Sequence, residues 1–220
     1  MINDTNQIAI YGAGGFGREV AQLLMQINEA GSKWDFIGYF DDNRKKGEMV
    51  NGHPIIGNIE DLNSWSDNLY LVFALGIPTN KINVLNNIKN SKIKYPVLIH
   101  PSAIVGTREF VEIGEGSIVC AGNILTTNIT IGKHVIINLS CTIGHDVIIN
   151  DYSSLMPTCN ISGKVVIGEM SFIGTGTKII NNINIGEHVI IGAGAVVTSD
   201  IPNRVTAVGV PAKVIKNEKF

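Results

Sequence analysis

The pair His145-Asp146 is the clearest candidate for acid–base chemistry among the five histidines of this 220-residue chain. A neutral imidazole can take a proton from an amine or hydroxyl group, and a neighbouring carboxylate can fix its tautomer. By contrast, His134 and His188 recur at one position of a repeated Ile-Gly-x-His-Val segment, which favours a structural role for both. Two interpretations of His145 therefore stay open: it is a general base, or it is an exposed residue without a catalytic role.

A glycine-rich loop at residues 12–17 has the spacing of a phosphate-binding turn, G-x-G-x-x-G. Such a loop holds phosphates at a helix N-terminus, whether they belong to NAD or to a nucleotide-sugar. The chain lacks the second mononucleotide half of an NAD-binding fold, so we favour a nucleoside diphosphate. The residues expected to bind it, through phosphate, base or ribose, are Gly12, Gly14, Gly15, Gly17, Asp41 and Asp42. A glycine turn needed only for tight packing is the alternative.

The second half of the chain repeats an aliphatic residue at every sixth position from Ile113 to Val197. All fifteen residues at this position, called i below, are Ile, Leu or Val, and most residues at i−2 are small or Val. Strand alternation turns the i−2 and i side chains inward. A period of six is typical of a parallel β-helix in which three hexads make one triangular coil. Fifteen hexads predict about five coils, a prism roughly 24 Å tall.

The residues after each i position must turn a corner of the prism. Glycine or asparagine fills the i+1 position nine times, which predicts a positive φ angle there. His145 stands at i+2, where charged residues are common, and is therefore expected to be exposed at a corner. The segment 104–112 is out of register by two residues and is expected to form an irregular entry coil.

Residues 1–100 predict a small Rossmann-like α/β domain, half of a dinucleotide-binding fold. Its expected elements are a strand before the glycine loop, a helix over 18–28, a strand over 36–40, a helical turn over 59–62, a strand over 69–75, a helix over 79–90 and a last strand over 97–99. Residues 101–220 then form the β-helix domain with a C-terminal closing segment over 199–213.

Composition narrows the partners and the compartment. Charged residues are 16% and the net charge is −2, which gives no support for a nucleic-acid or membrane partner. The first residues lack the pattern of a secretory signal, and no apolar run has the length of a membrane span. The three cysteines lack metal-ligand spacing. We therefore expect a cytoplasmic protein with reduced thiols and no metal site.

One outward-facing column of the predicted prism is apolar. Its i−1 residues, eighteen apart, are Ile118, Ile136, Ser154, Phe172 and Ile190. On a monomer such a column would be an exposed hydrophobic patch, so we expect this face to be buried between subunits.

Five short motifs occur in an order found in one enzyme family. They are Tyr-Gly-Ala-Gly-Gly-Phe-Gly at 11–17, Phe-Asp-Asp at 40–42, His-Pro-Ser-Ala at 100–103, Gly-His-Asp at 144–146 and Gly-Val-Pro-Ala-Lys at 209–213. With the hexads, they make essentially the whole chain resemble the hexapeptide-repeat sugar O- and N-acetyltransferases, which act on bacillosamine precursors, perosamine or sialic acid. The resemblance implies a left-handed β-helix, a homotrimer and acetyl-CoA as cosubstrate, without a metal.

The resemblance also assigns roles to individual residues. It implies that His145 is the base, that Asp146 is its acidic partner and that Asn138 comes from a neighbouring subunit. Because Asn138 and His145 lie on successive corners of one predicted coil, roughly 15 Å apart, a shared site must lie between subunits. A need for positive φ is the alternative reason for Asn138. Ser154 departs from the family pattern, since relatives can carry a second histidine there.

By the same resemblance, coenzyme A should run along the later coils. The residues expected to line its path are Gly163, Thr175, Ala193, Pro211 and Lys213. A backbone N–H near Gly163 is expected to stabilise the oxyanion of the transition state.

Together these features predict an acetyl-CoA-dependent N-acetyltransferase, a homotrimer with active sites between subunits. Its substrate would be a UDP-, dTDP- or GDP-linked 4-amino-4,6-dideoxy sugar, acetylated on the 4-amino group by direct transfer for bacterial surface glycans. One alternative is O-acetylation of sialic acid, for which the glycine loop would be a packing device. Another is a non-catalytic, nucleotide-binding trimeric scaffold.

Overall fold

The computed structural model describes residues 6–32, 34–107 and 109–217, which fall into two compact units, Met1–Pro96 and Val97–Phe220. The elements of the first unit are β1 (Asn6–Tyr11), α1 (Gly15–Glu29), β2 (Trp34–Phe40), β3 (Met49–Val50), β4 (His53–Gly57), α2 (Ile59–Asn63), β5 (Leu69–Phe73), α3 (Pro78–Asn87) and β6 (Ile93–Lys94). None of the helices in the described ranges is long and apolar enough to cross a membrane.

The first unit is a mostly parallel sheet with the strand order β3-β4-β2-β1-β5-β6, in which only β3 and β4 pair antiparallel. Strand β1 lies between β2 and β5, and Tyr11 at its end is in register with Phe40. The glycine loop and the acidic pair after β2 therefore leave the same edge of the sheet side by side. Hydrophobic residues on α1, including Val20, Leu24 and Ile27, are buried. The predicted α/β layer is confirmed.

Helix α1 begins at Gly15, inside the glycine loop, and not at Arg18 as predicted. Gly14 is its N-cap and supplies no side chain to accept a hydrogen bond from the first-turn N–H groups. Those groups are therefore left for another acceptor.

The second unit consists of short strands. In chain order they are β7 (Leu98–Ile99), β8 (Ile104–Val105), β9 (Val111–Ile113), β10 (Ile118–Val119), β11 (Ile124–Leu125), β12 (Ile129–Ile131), β13 (Ile136–Ile137), β14 (Thr142–Ile143), β15 (Ile148–Ile149), β16 (Ser154–Leu155), β17 (Asn160–Ile161), β18 (Val166–Ile167), β19 (Phe172–Ile173), β20 (Lys178–Ile179), β21 (Asn184–Ile185), β22 (Ile190–Ile191), β23 (Val196–Val197), β24 (Val205–Val208) and β25 (Lys213–Asn217).

These strands stack into three faces of parallel strands. The first face holds β7, β10, β13, β16, β19, β22 and β24; the second holds β8, β11, β14, β17, β20 and β23; the third holds β9, β12, β15, β18 and β21. Each corner below takes the number of the face that precedes it. Strand β25 closes the first face by pairing antiparallel with β24. The parallel β-helix predicted from the hexads is confirmed.

The predicted count of about five coils is too low, because the β-helix begins earlier than its regular repeat. Leu98 pairs with Ile118, so β7 belongs to the first face and is not the last strand of the α/β layer. Ile104 pairs with Ile124, and Val111 pairs with Ile129. The strands of the segment 104–112 therefore pair in register as part of a first coil, and the two extra residues separate β8 from β9.

The inward positions form the core of this unit as predicted. All fifteen i−2 residues are buried, and so is every i residue except Ile113, which is half-buried. Asn123 is the one amide among them. It donates to the Cys120 and Ile137 carbonyls and accepts from the Cys141 N–H. Its polar atoms are thus paired, as a buried amide requires.

The positive φ angles of the corners lie at i+3, and the prediction that they lie at i+1 is wrong. All fourteen i+3 residues from Gly116 to Gly194 have positive φ, Asp146 included. Glycine at i+1 has a steric cause instead. A Cβ on Gly168 would lie 2.5 Å from the carbonyl carbon and oxygen of Gly186 in the next coil. Asn138, at i+1, has no positive φ angle either.

The first face does not provide the exposed apolar column that the sequence predicted. Ile118 and Ile136 are only 0% and 1% exposed within the single chain. Phe172 is half-buried, and Ile190 lies among the exposed residues. Most of this column is already covered, so it gives no reason to place a second subunit there.

Substitutions at an i+1 and an i+3 position should distinguish the two constraints on the corners, steric contact with the next coil at i+1 and positive φ at i+3. Gly168→Ala should lower the free energy of unfolding by about 1–3 kcal/mol, because the added methyl group overpacks against the next coil. Ser140→Gly, at an exposed i+3 position with φ of 57°, should change it by less than about 1 kcal/mol. Urea titration measures both values. Equal destabilisation by the two variants would contradict the distinction.

Candidate active site

His145 and Asp146 lie on the second corner, between β14 and β15. His145 Nδ1 is 2.7 Å from Asp146 Oδ2, and the two side chains are 58% and 41% exposed. Because an ionised carboxylate only accepts hydrogen bonds, Nδ1 carries the proton of the neutral imidazole, and Nε2 of that tautomer has a free lone pair. This is the tautomer that a general base needs.

The backbone of this corner is held from both sides. The Asp146 N–H donates to the Thr127 carbonyl in the preceding coil at 3.2 Å, and the Lys164 N–H in the following coil donates to the His145 carbonyl at 2.8 Å. The peptide between His145 and Asp146 is thereby fixed at both its polar atoms.

Asp146 is held in its ionised form. The hydrogen bond from His145, then the one from Asn128, keeps the pKa of Asp146 below its ordinary value, and the nearby Lys164 charge acts in the same direction. Asn128 Nδ2 donates to Asp146 Oδ1 at 3.2 Å. Nothing in the sequence analysis pointed to Asn128, although its place eighteen residues before Asp146, one coil away, is a signal that could have found it.

The imidazole of His145 lies against Gly163 in the next coil. A Cβ on Gly163 would be 2.5 Å from both Cε1 and Nε2 of the ring, so a side chain there would displace it. The Gly163 N–H has no hydrogen-bond acceptor among the described residues. Glycine therefore sets an unused backbone donor beside the candidate base, as stabilisation of an oxyanion would require.

Asn138 lies on the first corner, away from this cluster. Its side chain is buried, and its Oδ1 accepts a hydrogen bond from the Leu139 N–H at 2.7 Å. Because its φ angle is not positive, the backbone explanation for this asparagine is wrong.

The other residues predicted to contact coenzyme A follow Asn138 along the first corner. Thr175 and Ala193 are exposed at the same step of successive coils, where the Gly194 N–H donates to the Thr175 carbonyl at 2.8 Å. Pro211 is exposed in the turn after β24, and Lys213 begins β25. One chain therefore carries two separate groups of candidate residues, with the second face between them.

The glycines of residues 12–17 divide into two kinds. A Cβ on Gly17 would lie 2.0 Å from the Gly12 carbonyl oxygen, and Gly12 has a φ angle of 100°. These two glycines are explained by packing and backbone conformation. Gly14 and Gly15 are exposed, and a Cβ on Gly14 would meet nothing within 4 Å. Packing gives no reason for glycine at Gly14, which is the N-cap of α1.

Asp41 and Asp42 accept hydrogen bonds from residues in and beside the glycine loop. Asp41 Oδ2 accepts a hydrogen bond from the Ala13 N–H at 2.8 Å. Asp42 Oδ2 accepts from the Tyr11 hydroxyl at 2.6 Å, and its Oδ1 accepts from the Ile59 N–H at 3.0 Å. Burial, and then the bond to Asp42, raises the pKa of Tyr11. Both carboxylates thus have a structural role that the sequence did not predict.

Two cavities of the first unit lie beside these loops. One of about 270 Å³ is lined by Gly12, Asp41, Asp42 and their neighbours, including Asn80 and Asn83 of α3. The other, of about 380 Å³, shares Tyr11, Asp42, Asn83 and Val84 with it and reaches Glu60 and Lys89. The lining by Tyr11 and the α3 asparagines was not predicted, because it depends on how α3 packs beside β1.

Each half of the chain matches a known family profile. A family profile described as the PglD N-terminal domain matches residues 7–88, and one described as bacterial transferase hexapeptide (six repeats) matches residues 164–199. A GDP-perosamine N-acetyltransferase from Escherichia coli O157:H7 is 32% identical over 158 residues, which are 69% of this chain and 68% of that protein.

Two solved structures share nearly the whole fold. The acetyltransferase domain of PglB from Neisseria gonorrhoeae FA1090, in complex with acetyl coenzyme A, is 34% identical with a TM-score of 0.87, covering 96% of this chain and 100% of that chain. PerB from Caulobacter crescentus, in complex with CoA and GDP-perosamine, is 29% identical with a TM-score of 0.82, covering 96% and 97%.

The division of the glycines can be tested by adding one methyl group. Gly14→Ala should melt at the wild-type temperature, because alanine has room at φ of −73°. It should weaken nucleoside diphosphate binding by about tenfold or more, because the methyl group fills the space a phosphate needs. Gly17→Ala should instead lower the melting temperature. Calorimetry with UDP, dTDP and GDP measures the affinities. Unchanged affinity in Gly14→Ala would contradict a phosphate site beside Gly14.

Proposed function

The chain belongs to the family of hexapeptide-repeat sugar N-acetyltransferases, and from this premise we propose that it acetylates the 4-amino group of a nucleotide-linked 4-amino-4,6-dideoxy sugar. The enzyme is an acyltransferase that uses acetyl-CoA. The observation that carries the proposal is the corner at which Asp146 binds His145 Nδ1 while the same ring packs on Gly163. A base and an unused backbone donor lie side by side there.

The proposed reaction is a direct transfer with His145 as general base. Nε2 of His145 accepts a proton from the amine as its nitrogen forms a bond to the thioester carbonyl carbon. A backbone N–H at Gly163 donates to the carbonyl oxygen while negative charge develops on it. When the C–S bond breaks, the imidazolium returns its proton to the leaving sulfur. Asp146 keeps the ring oriented and stabilises its charged form throughout.

We place the nucleotide in the first unit. The exposed Gly14 and Gly15 precede the uncapped start of α1, where a diphosphate can accept from first-turn N–H groups. The cavity beside Gly12, Asp41 and Asp42 is available for ribose or base. Because both carboxylates already accept hydrogen bonds from the chain, they shape this cavity as well as line it.

We further propose that three copies pack around a threefold axis that faces the second face. Ile104 and Ile124, the first two outward residues of this face, are 66% and 40% exposed, and a second copy would cover this apolar part of it. The next outward residues along the face are Thr142, Asn160 and Lys178. The second face also lies between the corner with Asn138 and the corner with His145. A threefold axis along it sets the first corner of one copy against the second corner of the next.

In this arrangement each active site takes its two groups from two chains. One subunit supplies His145, Asp146 and Gly163, and its neighbour supplies Asn138 with the Thr175 and Ala193 column. Coenzyme A would then lie in the groove between two corners. This replaces the first-face interface expected from the sequence.

Removal of the base should show in the rate and not in binding. His145→Ala should lose about 10²- to 10⁴-fold in kcat, while calorimetric affinities for acetyl-CoA and the nucleotide-sugar stay close to wild type. Asp146→Asn should lose less kcat than His145→Ala, because the base remains.

Free thiol release from acetyl-CoA with a panel of 4-amino nucleotide-sugars gives the rates, and His53→Ala is the matched control. If His145→Ala kept more than about a tenth of kcat, the base would be wrongly assigned.

Mixing two inactive variants tests whether the site is shared. A trimer reassembled from equal amounts of His145→Ala and Asn138→Ala chains should regain about a quarter of the wild-type sites, since that fraction pairs an intact His145 with an intact Asn138. Each variant alone should stay inactive. Mixing after partial unfolding and refolding, followed by the thiol assay, measures the gain. No gain from a mixture that has demonstrably exchanged subunits would put both residues on one chain's site or remove Asn138 from it.

A further inference from the structure

We propose that Asn128 is a positioning residue of the active site, which fixes the Asp146 carboxylate so that His145 keeps its catalytic tautomer. The inference rests on the proposed function and extends it to a residue one coil away from the base. Three observations carry it: the stacking of the corner residues, the division of the two carboxylate oxygens and the surroundings of the pair.

The stacking comes from the coil repeat. Residues 128, 146, 164 and 182 occupy the same i+3 step of successive second corners, and all four have φ angles between 54° and 59°. Coils stack about 4.8 Å apart, so neighbouring members of this column are within side-chain reach of one another. Asn128 therefore lies next to Asp146 on one side, and Lys164 lies next to it on the other.

The two oxygens of Asp146 have different partners. Oδ2 accepts from His145 Nδ1 at 2.7 Å, and Oδ1 accepts from Asn128 Nδ2 at 3.2 Å. The amide must present its NH₂ group, because an ionised carboxylate offers only acceptors. With Oδ1 held, rotation of the carboxylate is restricted and Oδ2 stays in line with the imidazole.

The hydrogen bond from Asn128 is important because Asp146 is exposed. Asp146 is 41% exposed, so neither packing nor burial fixes its orientation. The groups that face it are His145 on its own corner, Asn128 from the preceding coil and Lys164 from the following coil. Without the amide, Oδ1 is free to turn towards water or the Lys164 ammonium group, and the bond to His145 loses its geometry. Partners that orient the ligands of metal sites contribute about 10- to 100-fold to activity, and we expect the lower end of that range here.

A different explanation for Asn128 is its backbone, since asparagine tolerates positive φ better than most residues. Asn182 provides the control for this explanation. It has a φ angle of 59° on the same corner, three coils after Asn128, and no described contact with Asp146. Asn128→Gly and Asn182→Gly both keep the backbone conformation and remove an amide, so only the loss of the bond to Asp146 distinguishes them.

The experiment compares these two glycine variants in the full-length protein. Asn128→Gly should lower kcat by about tenfold with both KM values within about twofold of wild type, whereas Asn182→Gly should leave all three unchanged. Nitrogen NMR of the His145 ring supplies a readout that needs no substrate. Wild-type protein and Asn182→Gly should show Nδ1 protonated, and Asn128→Gly should show a mixture of tautomers.

Asn128→Asp adds a test by pH. Near neutrality its carboxylate repels Asp146 and removes the donor, so kcat should fall at least as far as in Asn128→Gly. As the pH falls, the new carboxyl group takes up a proton, because the neighbouring negative charge raises its pKa, and it can then donate to Oδ1 as the amide does. The ratio of variant to wild-type kcat should therefore rise on acidification.

The outcomes separate the two levels of the proposal. If Asn128→Gly and Asn182→Gly have equal kcat and the same wild-type ring tautomer, Asn128 serves the backbone only and the inference is overturned. If the wild-type enzyme acetylates none of the amino nucleotide-sugars but the tautomer changes in Asn128→Gly alone, the positioning role stands and the proposed substrate is wrong. Thermal melting of each variant confirms that the fold is intact.

Discussion

Hydrogen bonding between coils makes residues eighteen apart into neighbours, and the rest of the second unit depends on this constraint. Ile136 pairs with Ser154, which pairs with Phe172, and the same step repeats on all three faces. Each corner must then turn within the thickness of one coil. Between Gly116 and Gly194 it does so with an i+3 residue at positive φ and, where the next coil lies closest, a glycine at i+1. The hexad sequence is what this geometry permits.

The same stacking builds the candidate active site. The second corner of three successive coils supplies its residues: Asn128 from one coil, the His145–Asp146 pair from the next and Gly163 from the third. In the proposed mechanism they are an orienting amide, a base with its carboxylate, and a backbone donor. A regular scaffold of this kind can hold such groups at a fixed spacing.

The features that could be predicted from the sequence are those with a period. Inward residues, the three faces and an exposed His145 beside Asp146 all follow from counting in sixes. The coil count was wrong because two extra residues before Val111 hide the first coil from that count. Sequence periodicity also predicts where glycine occurs but not why it is needed there. The i+1 glycines were therefore predicted to have positive φ angles, whereas they are required by close contact with the next coil. In the first unit, Asp41 and Asp42 were predicted as ligands alone, since their bonds to Ala13, Tyr11 and Ile59 depend on strand order.

The longer turn between β8 and β9 shows how a chain of this kind tolerates changes in length. It holds two residues more than other corners, yet Val111 is again in register with Ile129. An insertion at a corner can loop outward, whereas one extra residue inside a strand would exchange inside for outside along the rest of the prism. Six added residues between His145 and Gly163 would carry Gly163 to another side of the triangle. Gene duplications or deletions that leave such an enzyme working should therefore add or remove whole multiples of eighteen codons, or fall at the vertices.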